Sequence, residues 1–430
     1  MTPKKLGLHF PAEFALQEAM WLSWPHKEAS WPGKIDSIYP VYAKFIGLIA
    51  EAQKVRINVA DQVMKAFAEK HLIAVNGNLN NVEFYFNPTN DAWCRDHGPA
   101  FLINKNGKEP EKAIVDWGYN AWGNKYPPFD LDDVIPTLIG KHYNIPVFNP
   151  GIVMEGGSVE FNGAGTLLTS TACLLNPNRN PHLNQQQIEE YLMNYYGVEQ
   201  ILWVDEGIVG DDTDGHIDDT VRFVNEDTVL TVVEENKNDE NYEILQHNLK
   251  QLKQMRLLNG KQLNIIELPM PDAVEYDEQR LPAAYANFYI TNKYVIVPTY
   301  RSSKDDKALQ IIQSCFKDRE VIGIDSTEII CKLLGVNPEA EINPPHYTKK
   351  FKEVVKSAYS YSHDFNDFLF LLEENSREEP VMIYPNSYHL KDGASDLDDA
   401  TVREVTIGLL DGPGGRFRPL QRMQIGRAHV

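Results

Sequence analysis

An acidic loop with a single histidine stands directly ahead of a predicted strand. The stretch DDTDGHIDDTVRF runs from Asp211 to Phe223 and places five aspartates around His216. Three interpretations account for so much negative charge beside one imidazole. The loop could bind a metal, form a solvated acidic turn, or bind a cation with the histidine as general acid and base.

The spacing of the loop does not match common metal motifs. An EF-hand needs oxygen ligands at its first, third and fifth positions, glycine at the sixth and glutamate at the twelfth. Aligning Gly215 with the sixth position puts Gly210 first and Val221 last, so this pattern fails. The loop has one histidine and no HExxH helix, which argues against zinc. The prediction is that no metal and no other cofactor is needed, and the solvated turn stays as the alternative.

A repeat of about sixty residues connects this loop to two others. Four segments read as strand, turn and strand, and three of them are followed by a helical pattern and a further strand. Asp96, Glu155 and the pair His216 and Asp218 precede three of these hairpins. From Asp96 to Glu155 is 59 residues, and from Glu155 to His216 is 61. Equivalent positions in a closed array face one axis, so we expect these four side chains to meet.

Such a cluster suits a planar cation. Two carboxylates can clamp a guanidinium through charge-assisted hydrogen bonds, and an imidazole beside them can transfer protons. Trp93, three residues before Asp96, could offer an aromatic face to the ligand. Trp93 could equally be a core residue, and Glu155 with Gly156 and Gly157 could form only a tight turn.

Composition narrows the class of protein. The 430 residues are 43% hydrophobic and carry a net charge of −20, which excludes a basic footprint for nucleic acid. No apolar run is long enough to cross a membrane, and the amino-terminal residues show no signal peptide. Cys94, Cys173, Cys315 and Cys331 have irregular spacings, typical of neither disulfides nor zinc sites. We therefore expect a cytoplasmic protein with a small cationic substrate, and a homodimer is a further candidate assembly.

The longer motifs resemble a known family. The similarity to agmatine deiminases and to the bacterial peptidylarginine deiminases of the same family covers residues 5–330. It is carried by the stretches NPTNDAWCRDHGPAFLIN, MEGGSVEFNGAGTLLTS, CLLNPNRNPHL, GDDTDGHIDDTVRF, PAAYANFYITNKYVIVPTY and KDREVIGIDSTEII.

The resemblance implies an α/β pentein fold, a propeller of five strand-strand-helix-strand blades with the site at its centre. Asp96 and Asp218 then clamp the guanidinium, His216 is the general acid and base, and Glu155 and Trp93 bind substrate. The loop DWGYNAWGNKY covers the ligand. The implied reaction, a step of putrescine and polyamine metabolism, hydrolyses agmatine to N-carbamoylputrescine and ammonia through a cysteine-thiouronium intermediate. Peptidylarginine deimination is the alternative.

The resemblance fails where it implies the nucleophile. The family cysteine follows a glycine-rich turn and a histidine in the fifth blade, after the strand matched by EVIGID. This sequence has neither feature there, so the last blade is expected to be incomplete or replaced. Cys331 remains as a nucleophile candidate, although its aliphatic neighbours favour a buried, inert thiol. Cys94 is a weaker candidate. A third function class, a catalytically inactive guanidinium-binding protein, therefore stays open.

The predicted organisation has three parts. Residues 1–330 form the deiminase domain, residues 331–412 a mostly helical segment, and residues 413–430 a disordered or non-native tail. The tail contains four arginines and no acid, an abrupt change in so acidic a chain. A chimeric or frame-shifted carboxyl-terminal segment and a genuinely diverged one would both produce this sequence.

Overall fold

The structure is a computed structural model with two compact units, Met1–Gly335 and Val336–Val430. It describes residues 1–104, 107, 109–276 and 279–330, and the backbone of three further strands in the second unit. Cys331 and most of the segment expected to be helical lie outside the described residues.

Short strands dominate the described chain. They are β1 (Leu8–His9), β2 (Ala19–Ser23), β3 (Lys54–Val59), β4 (Val82–Phe86), β5 (Ala100–Asn104), β6 (Lys112–Val115), β7 (Val147–Phe148), β8 (Val159–Phe161), β9 (Thr166–Ser170), β10 (Gln200–Val204), β11 (Val221–Phe223), β12 (Thr228–Val233), β13 (Asn264–Pro269), β14 (Glu275–Tyr276), β15 (Gln279–Arg280), β16 (Tyr289–Ile290), β17 (Tyr294–Thr299), β18 (Glu320–Asp325), β19 (Val381–Pro385), β20 (Arg403–Leu410) and β21 (Phe417–Ile425).

Helices connect the strands. They are α1 (Ile35–Ala52), α2 (Gln62–Ala74), α3 (Cys94–His97), α4 (Ala121–Asn124), α5 (Asp130–Asp133), α6 (Ile135–Tyr143), α7 (Thr171–Leu174), α8 (Gln185–Tyr196), α9 (Asn241–Gln254), α10 (Asp305–Cys315) and α11 (Thr327–Ile330). Short 3-10 turns span Pro3–Leu6, Glu28–Ser30, Leu79–Asn81, Gly156–Ser158 and Ile217–Asp219.

Four sheets of the first unit repeat one topology. In each, two strands pair as an antiparallel hairpin, a helix follows, and a third strand returns parallel to the second. The sheets are β5-β6-β7, β8-β9-β10, β11-β12-β13 and β16-β17-β18. The four predicted hairpins are therefore present, and β1 adds one more strand to the edge of β5. A right-handed crossover through a helix is the usual route between parallel strands.

The fifth sheet of the unit differs from these four. Its strands β2, β3 and β4 are all parallel, with α1 and α2 as the crossovers. In the second unit β19, β20 and β21 form an antiparallel sheet. Two of these strands fall within the segment expected to be mostly helical, and β21 falls within the expected tail.

Local sequence explains how a repeat helix such as α8 forms. The side chain of Asn184 accepts a hydrogen bond from the backbone N–H of Gln187, and the Gln187 side chain accepts one from the N–H of Asn184. This capping box satisfies two amides that the first turn would otherwise leave unpaired. Ile188, Leu192 and Tyr196 recur every four residues and are buried.

The apolar faces of helices and sheets bury separate cores. The largest lies under β12, β17 and α10, and another lies under β5, β9 and α8. The mixed α/β class predicted from the repeat is confirmed. Within the described part of the chain, no helix combines the length and apolar character needed to cross a membrane.

Candidate active site

Three turns that open hairpins carry the predicted site residues. Asp96 lies on the single turn of α3 ahead of β5, Glu155 precedes the 3-10 turn before β8, and Asp218 lies on the 3-10 turn before β11. His216 directly precedes this last turn. Each residue follows a change of chain direction at the same end of its sheet, which is how positions sixty residues apart reach one place.

The four side chains meet around the backbone of Gly157. A Cβ atom on this glycine would lie 2.4 Å from Nδ1 of His216, 2.9 Å from Oδ1 of Asp96 and 3.0 Å from Oδ2 of Asp218. Only glycine fits here, because any side chain would occupy the space where these polar atoms converge. Nδ1 of His216 lies 3.7 Å from Oδ1 of Asp96, and Nε2 lies 3.9 Å from Oε2 of Glu155. The structure therefore brings the predicted residues together.

The charges of the cluster favour a protonated histidine. Burial alone would lower the pKa of His216, but the charge of Asp96 and the nearby side chains of Cys173 and Glu155 outweigh it, so the pKa is raised well above its usual value. Burial also raises the pKa of Asp96, and the neighbouring Asp218 and Glu155 add to that effect. The histidine thus stands ready as a proton donor.

We expect His216 to remain an imidazolium at a pH well above its usual pKa near 6.5, because its pKa is raised in the folded chain. The Asp96→Asn variant removes the main charge that favours protonation, so the pKa of His216 should fall toward its usual value. Nitrogen-15 NMR of labelled histidine side chains measures this, and a His216→Asn variant assigns the signal. An unchanged pKa in the Asp96→Asn variant would contradict it. Because folding raises this pKa, the stability it contributes is fully present below about pH 6.5 and is lost as the pH rises through the raised value.

Arg179 holds Glu155 in its place. Its Nε donates to Oε1 of Glu155 at 2.6 Å, and both side chains are fully buried. The same guanidinium bonds Asp214 and the carbonyl oxygen of Thr213, so the acidic loop is tied to the cluster. Burial raises the pKa of Glu155, but His216 and Arg179 outweigh it and lower the pKa below its usual value. Glu155 is therefore an ionised carboxylate, which orients the histidine.

Glu155, Cys173 and His216 are also the residues that could hold a metal. Their candidate ligand atoms all lie within 4.8 Å of one another, and Cys173 Sγ is 3.8 Å from Oε2 of Glu155. Metal ligands must be deprotonated. Burial and the charge of Glu155 raise the pKa of the Cys173 thiol, although His216 opposes this effect. The pKa of His216 is itself raised, which favours the imidazolium. The donor set thus fits a proton network better than a metal ion.

A second arginine is bound to Asp218. Arg95 Nε donates to Oδ2 of Asp218 at 3.1 Å, and its Nη1 donates to Glu13 at the same distance. Glu13 also pairs with Arg222, which in turn donates to Glu160. Positive and negative side chains alternate along this network, so each buried charge has a partner of opposite sign. The network also holds the Asp218 carboxylate in place, with one oxygen toward the cluster.

Aromatic residues close the cluster on the side of the predicted covering loop. Ala121 and Trp122 have positive φ angles of 49° and 55°, a strained backbone that places the Trp122 indole N–H 3.2 Å from Oδ2 of Asp96. Trp93 packs between Trp31 and Trp122, with ring centroids 5.3 Å and 6.4 Å away. Trp93 therefore packs among aromatic rings beside the site. This position is compatible with both predicted roles, a core residue and an aromatic face for the ligand. No individual role was predicted from the sequence for Trp122, Arg95, Arg179 or Cys173.

None of the described cysteines resembles an activated nucleophile. Burial raises the pKa of Cys94 to about 12, with the charges of Asp132 and Asp96 adding to this and a Ser23 hydrogen bond opposing it. Burial also raises the pKa of Cys173 and of Cys315. A reactive cysteine needs a lowered pKa and an accessible thiolate.

Comparison with known proteins identifies the family. The family model of the Porphyromonas-type peptidyl-arginine deiminase matches residues 9–336. The chain belongs to this family. Its described site residues lie within the matched range, and membership places the chain among hydrolases that act on carbon–nitrogen bonds.

Relatives of this deiminase family cover most of the chain. A curated protein of Legionella pneumophila strain Paris, named "Putative agmatine deiminase", is 35% identical over 350 residues, which are 80% of this chain and 98% of that protein. The solved agmatine deiminase of Enterococcus faecalis is 31% identical, covers 77% of this chain and 94% of its own, and has a TM-score of 0.71. A cysteine-to-serine variant of the C. jejuni agmatine deiminase, solved with substrate bound, is 33% identical, covers 75% and 92%, and has a TM-score of 0.68.

Proposed function

We propose that the site binds the guanidinium group of agmatine and serves its hydrolysis to N-carbamoylputrescine and ammonia. The observation that carries the proposal is the convergence of Asp96, Asp218 and His216 on one point beside Gly157. Two carboxylates there can accept hydrogen bonds from a planar cation, while the imidazolium donates a proton to the departing ammonia. Agmatine deiminases among the relatives support this substrate.

The same proposal includes the architecture. Four repeated sheets and the sheet β2-β3-β4 form the five blades of a pentein propeller, with residues 1–330 as the deiminase domain. Residues 331–412 and 413–430 are separate parts of the chain. A place in cytoplasmic putrescine and polyamine synthesis, and a homodimeric assembly, follow as expectations from the same family.

The reaction uses a covalent intermediate. A cysteine thiolate attacks the guanidinium carbon, a carbon–nitrogen bond breaks, and ammonia leaves with a proton from His216. The histidine then takes a proton from water, which attacks the thiouronium carbon and releases the ureido product and the thiol. Asp96 and Asp218 hold the cation in place through both steps, so the surrounding charges need no rearrangement.

Two alternatives make different demands on the site. A peptidylarginine deiminase needs an open mouth beside the guanidinium pocket. In this structure the loop after β6 covers the cluster, because Lys125 bonds Asp214 at 2.7 Å and Tyr126 bonds Asp212 at 2.5 Å. This closure favours a small ligand. A catalytically inactive guanidinium-binding protein would keep the carboxylates and the histidine without a thiol.

Calorimetry with agmatine and with a short arginine-containing peptide tests the substrate class. We expect agmatine to bind at least about tenfold more tightly, which is a difference of about 1.4 kcal/mol. Putrescine is the matched control, since it keeps the amine and lacks the guanidinium. Tighter binding of the peptide would favour the peptidylarginine alternative, and equal binding of putrescine would remove the guanidinium site from the proposal.

A further inference from the structure

One carboxylate joins three loops at the rim of the site. Oδ1 of Asp214 accepts a hydrogen bond from Nζ of Lys125 at 2.7 Å. Its Oδ2 accepts one from Nδ2 of Asn178 at 2.9 Å and one from Nη1 of Arg179 at 2.6 Å. Lys125 belongs to the covering loop, residues 116–126, and the two other donors lie on the turn between α7 and α8. These four side chains are called the junction below, because the covering loop, this turn and the acidic loop meet there.

The acidic loop holds Asp214 in a fixed position relative to His216. Oδ2 of Asp211 accepts hydrogen bonds from the backbone N–H of Gly215 at 2.9 Å and of His216 at 3.0 Å. Its Oδ1 accepts one from the N–H of Thr213 at 2.8 Å. Asp214 lies between these bonded amides with a φ of 70°, which aspartate and asparagine adopt more readily than most residues. Because one carboxylate holds the backbone on both sides of Asp214, a shift of Asp214 also moves the histidine.

Arg179 connects Asp214 to the other neighbour of the histidine. Its Nε donates to Oε1 of Glu155 at 2.6 Å, while its Nη1 donates to Asp214. Oε2 of the same glutamate lies 3.9 Å from Nε2 of His216, and this buried nitrogen has no hydrogen-bond partner among the described residues. Charge and position, rather than a short hydrogen bond, hold the imidazole near Glu155. A small movement of the glutamate therefore changes their separation.

The covering loop contacts both the junction and the carboxylate clamp. The indole N–H of Trp122 donates to Oδ2 of Asp96 at 3.2 Å. Gly123 has a φ of 85°, and a Cβ atom on it would lie 2.4 Å from Nδ2 of Asn178, so the loop lies directly against the turn. Lys125 follows Trp122 by three residues. A movement that takes Lys125 away from the junction would also withdraw the indole from the clamp.

The charge balance of the junction depends on Lys125. Burial would raise the pKa of Asp214, but hydrogen bonds from Lys125, Asn178 and Arg179 outweigh it and lower the pKa, so the carboxylate is ionised. With the covering loop closed, an ammonium and a guanidinium face the carboxylates of Asp214 and Glu155. Without Lys125, the single buried guanidinium would have to compensate both carboxylates and would be drawn toward Asp214. Closure of the loop therefore leaves Arg179 free to hold Glu155.

We propose that Asp214 is a positioning residue that couples closure of the covering loop over the ligand to the orientation of Glu155 and His216. A ligand that fits beneath the closed loop meets an aligned histidine, whereas an open loop leaves the histidine out of line. By linkage, contacts that favour the closed loop also favour binding of the ligand. The identity of the ligand rests on the proposed function, and the coupling rests on the contacts of the junction.

A double-mutant cycle in the full chain tests the coupling. Lys125→Met removes the ammonium and keeps an unbranched side chain, and Asp214→Asn removes the carboxylate charge in a residue type that tolerates the positive φ. In calorimetry we expect each variant to weaken agmatine binding about tenfold, and the double variant to lose about tenfold instead of the roughly hundredfold of independent sites. Lys125→Arg keeps a cation and should restore most of the affinity. Lys253→Met breaks an exposed ion pair with Glu267 and should bind agmatine like the unaltered chain.

Nitrogen-15 NMR of the histidine side chains supplies a readout that simple structural support would not change. In the chain without ligand, Lys125→Met should shift the ring signals of His216. In the Asp214→Asn background the same substitution should leave these signals unchanged. A direct effect of the lysine charge on the imidazole would persist in that background. Thermal melting shows that each variant is folded.

The outcomes separate failure of the coupling from failure of the function. Additive losses of affinity, or His216 signals that do not respond to Lys125→Met, overturn the coupling and leave agmatine binding by the unaltered chain as the test of function. Absence of agmatine binding by the unaltered chain overturns the proposed function, and the ring signals without ligand then decide the coupling alone. An equal loss of affinity in Lys253→Met assigns the effect to surface charge and also overturns the coupling.

Discussion

Ammonia release from agmatine by the chain alone is expected to be about 10⁴-fold or more below that of a relative with its cysteine nucleophile. The guanidinium is a resonance-stabilised cation and a poor electrophile, so water attacks it slowly even when two carboxylates hold it. Removal of a nucleophile typically costs a factor of this size, although binding and polarisation persist. An ammonia assay beside calorimetric binding measures both parts, and we expect binding with only trace turnover.

Labelling with a haloacetamidine checks the same expectation by another route. This guanidinium-like alkylator reacts with a thiolate held at the site, and mass spectrometry identifies the modified residue. Cys94 and Cys173 should remain unmodified because burial raises the pKa of both thiols. Iodoacetamide applied after unfolding is the control, since it should modify every cysteine. Selective labelling of Cys331 in the folded chain, together with turnover near that of the relatives, would contradict the expectation.

The sixty-residue register made much of the site predictable. Asp96, Glu155 and His216 each precede a hairpin. Alternating apolar residues and turn residues in the sequence predict such hairpins. Because these signals are local, three loops far apart in sequence could be aligned without knowing the packing. That alignment predicts that the side chains meet, and Nδ1 of His216 lies 3.7 Å from Oδ1 of Asp96.

Other features of the site depend on packing and leave no local signal. Arg179 sits in the stretch NPNRNP, which reads as a polar turn, yet its side chain is fully buried against Glu155. Arg95 follows Cys94 in a short turn, and its pairing with Asp218 joins residues 123 positions apart. A buried ion pair forms only when two such segments meet, so neither residue could be assigned a partner from the sequence alone.

The sheet β2-β3-β4 also has features that could not be predicted from the sequence. Neither the all-parallel pairing of this sheet nor the edge of β2 that no other described strand pairs with could be predicted from the sequence. Which edge of a strand is covered depends on residues far away in the chain, because strand pairing is a long-range property. The pairing of β2 therefore became visible only in three dimensions.

Asp218→Asn is expected to weaken agmatine binding about a hundredfold, or about 2.7 kcal/mol. The buried carboxylate would otherwise accept a charge-assisted hydrogen bond from the guanidinium, and the amide presents an N–H donor toward the cation instead. Arg95 keeps its partner Glu13 at 3.1 Å in this variant, so the network beside the site is not left with an unpaired arginine. Calorimetry measures the affinity, and thermal melting shows whether the variant is folded.

Asp219 provides the matched control because it is the next residue on the same 3-10 turn. Burial, with the charges of Asp211 and Asp218, raises the pKa of Asp219 well above its usual value, which favours the neutral carboxyl. Its Oδ1 accepts a hydrogen bond from Asn287, which an asparagine carbonyl can also accept. Asp219→Asn therefore resembles the neutral carboxyl that the raised pKa favours, and it should leave agmatine binding within about twofold. If the two variants lost affinity equally, the loss would come from the turn, and Asp218 could no longer be assigned to the guanidinium.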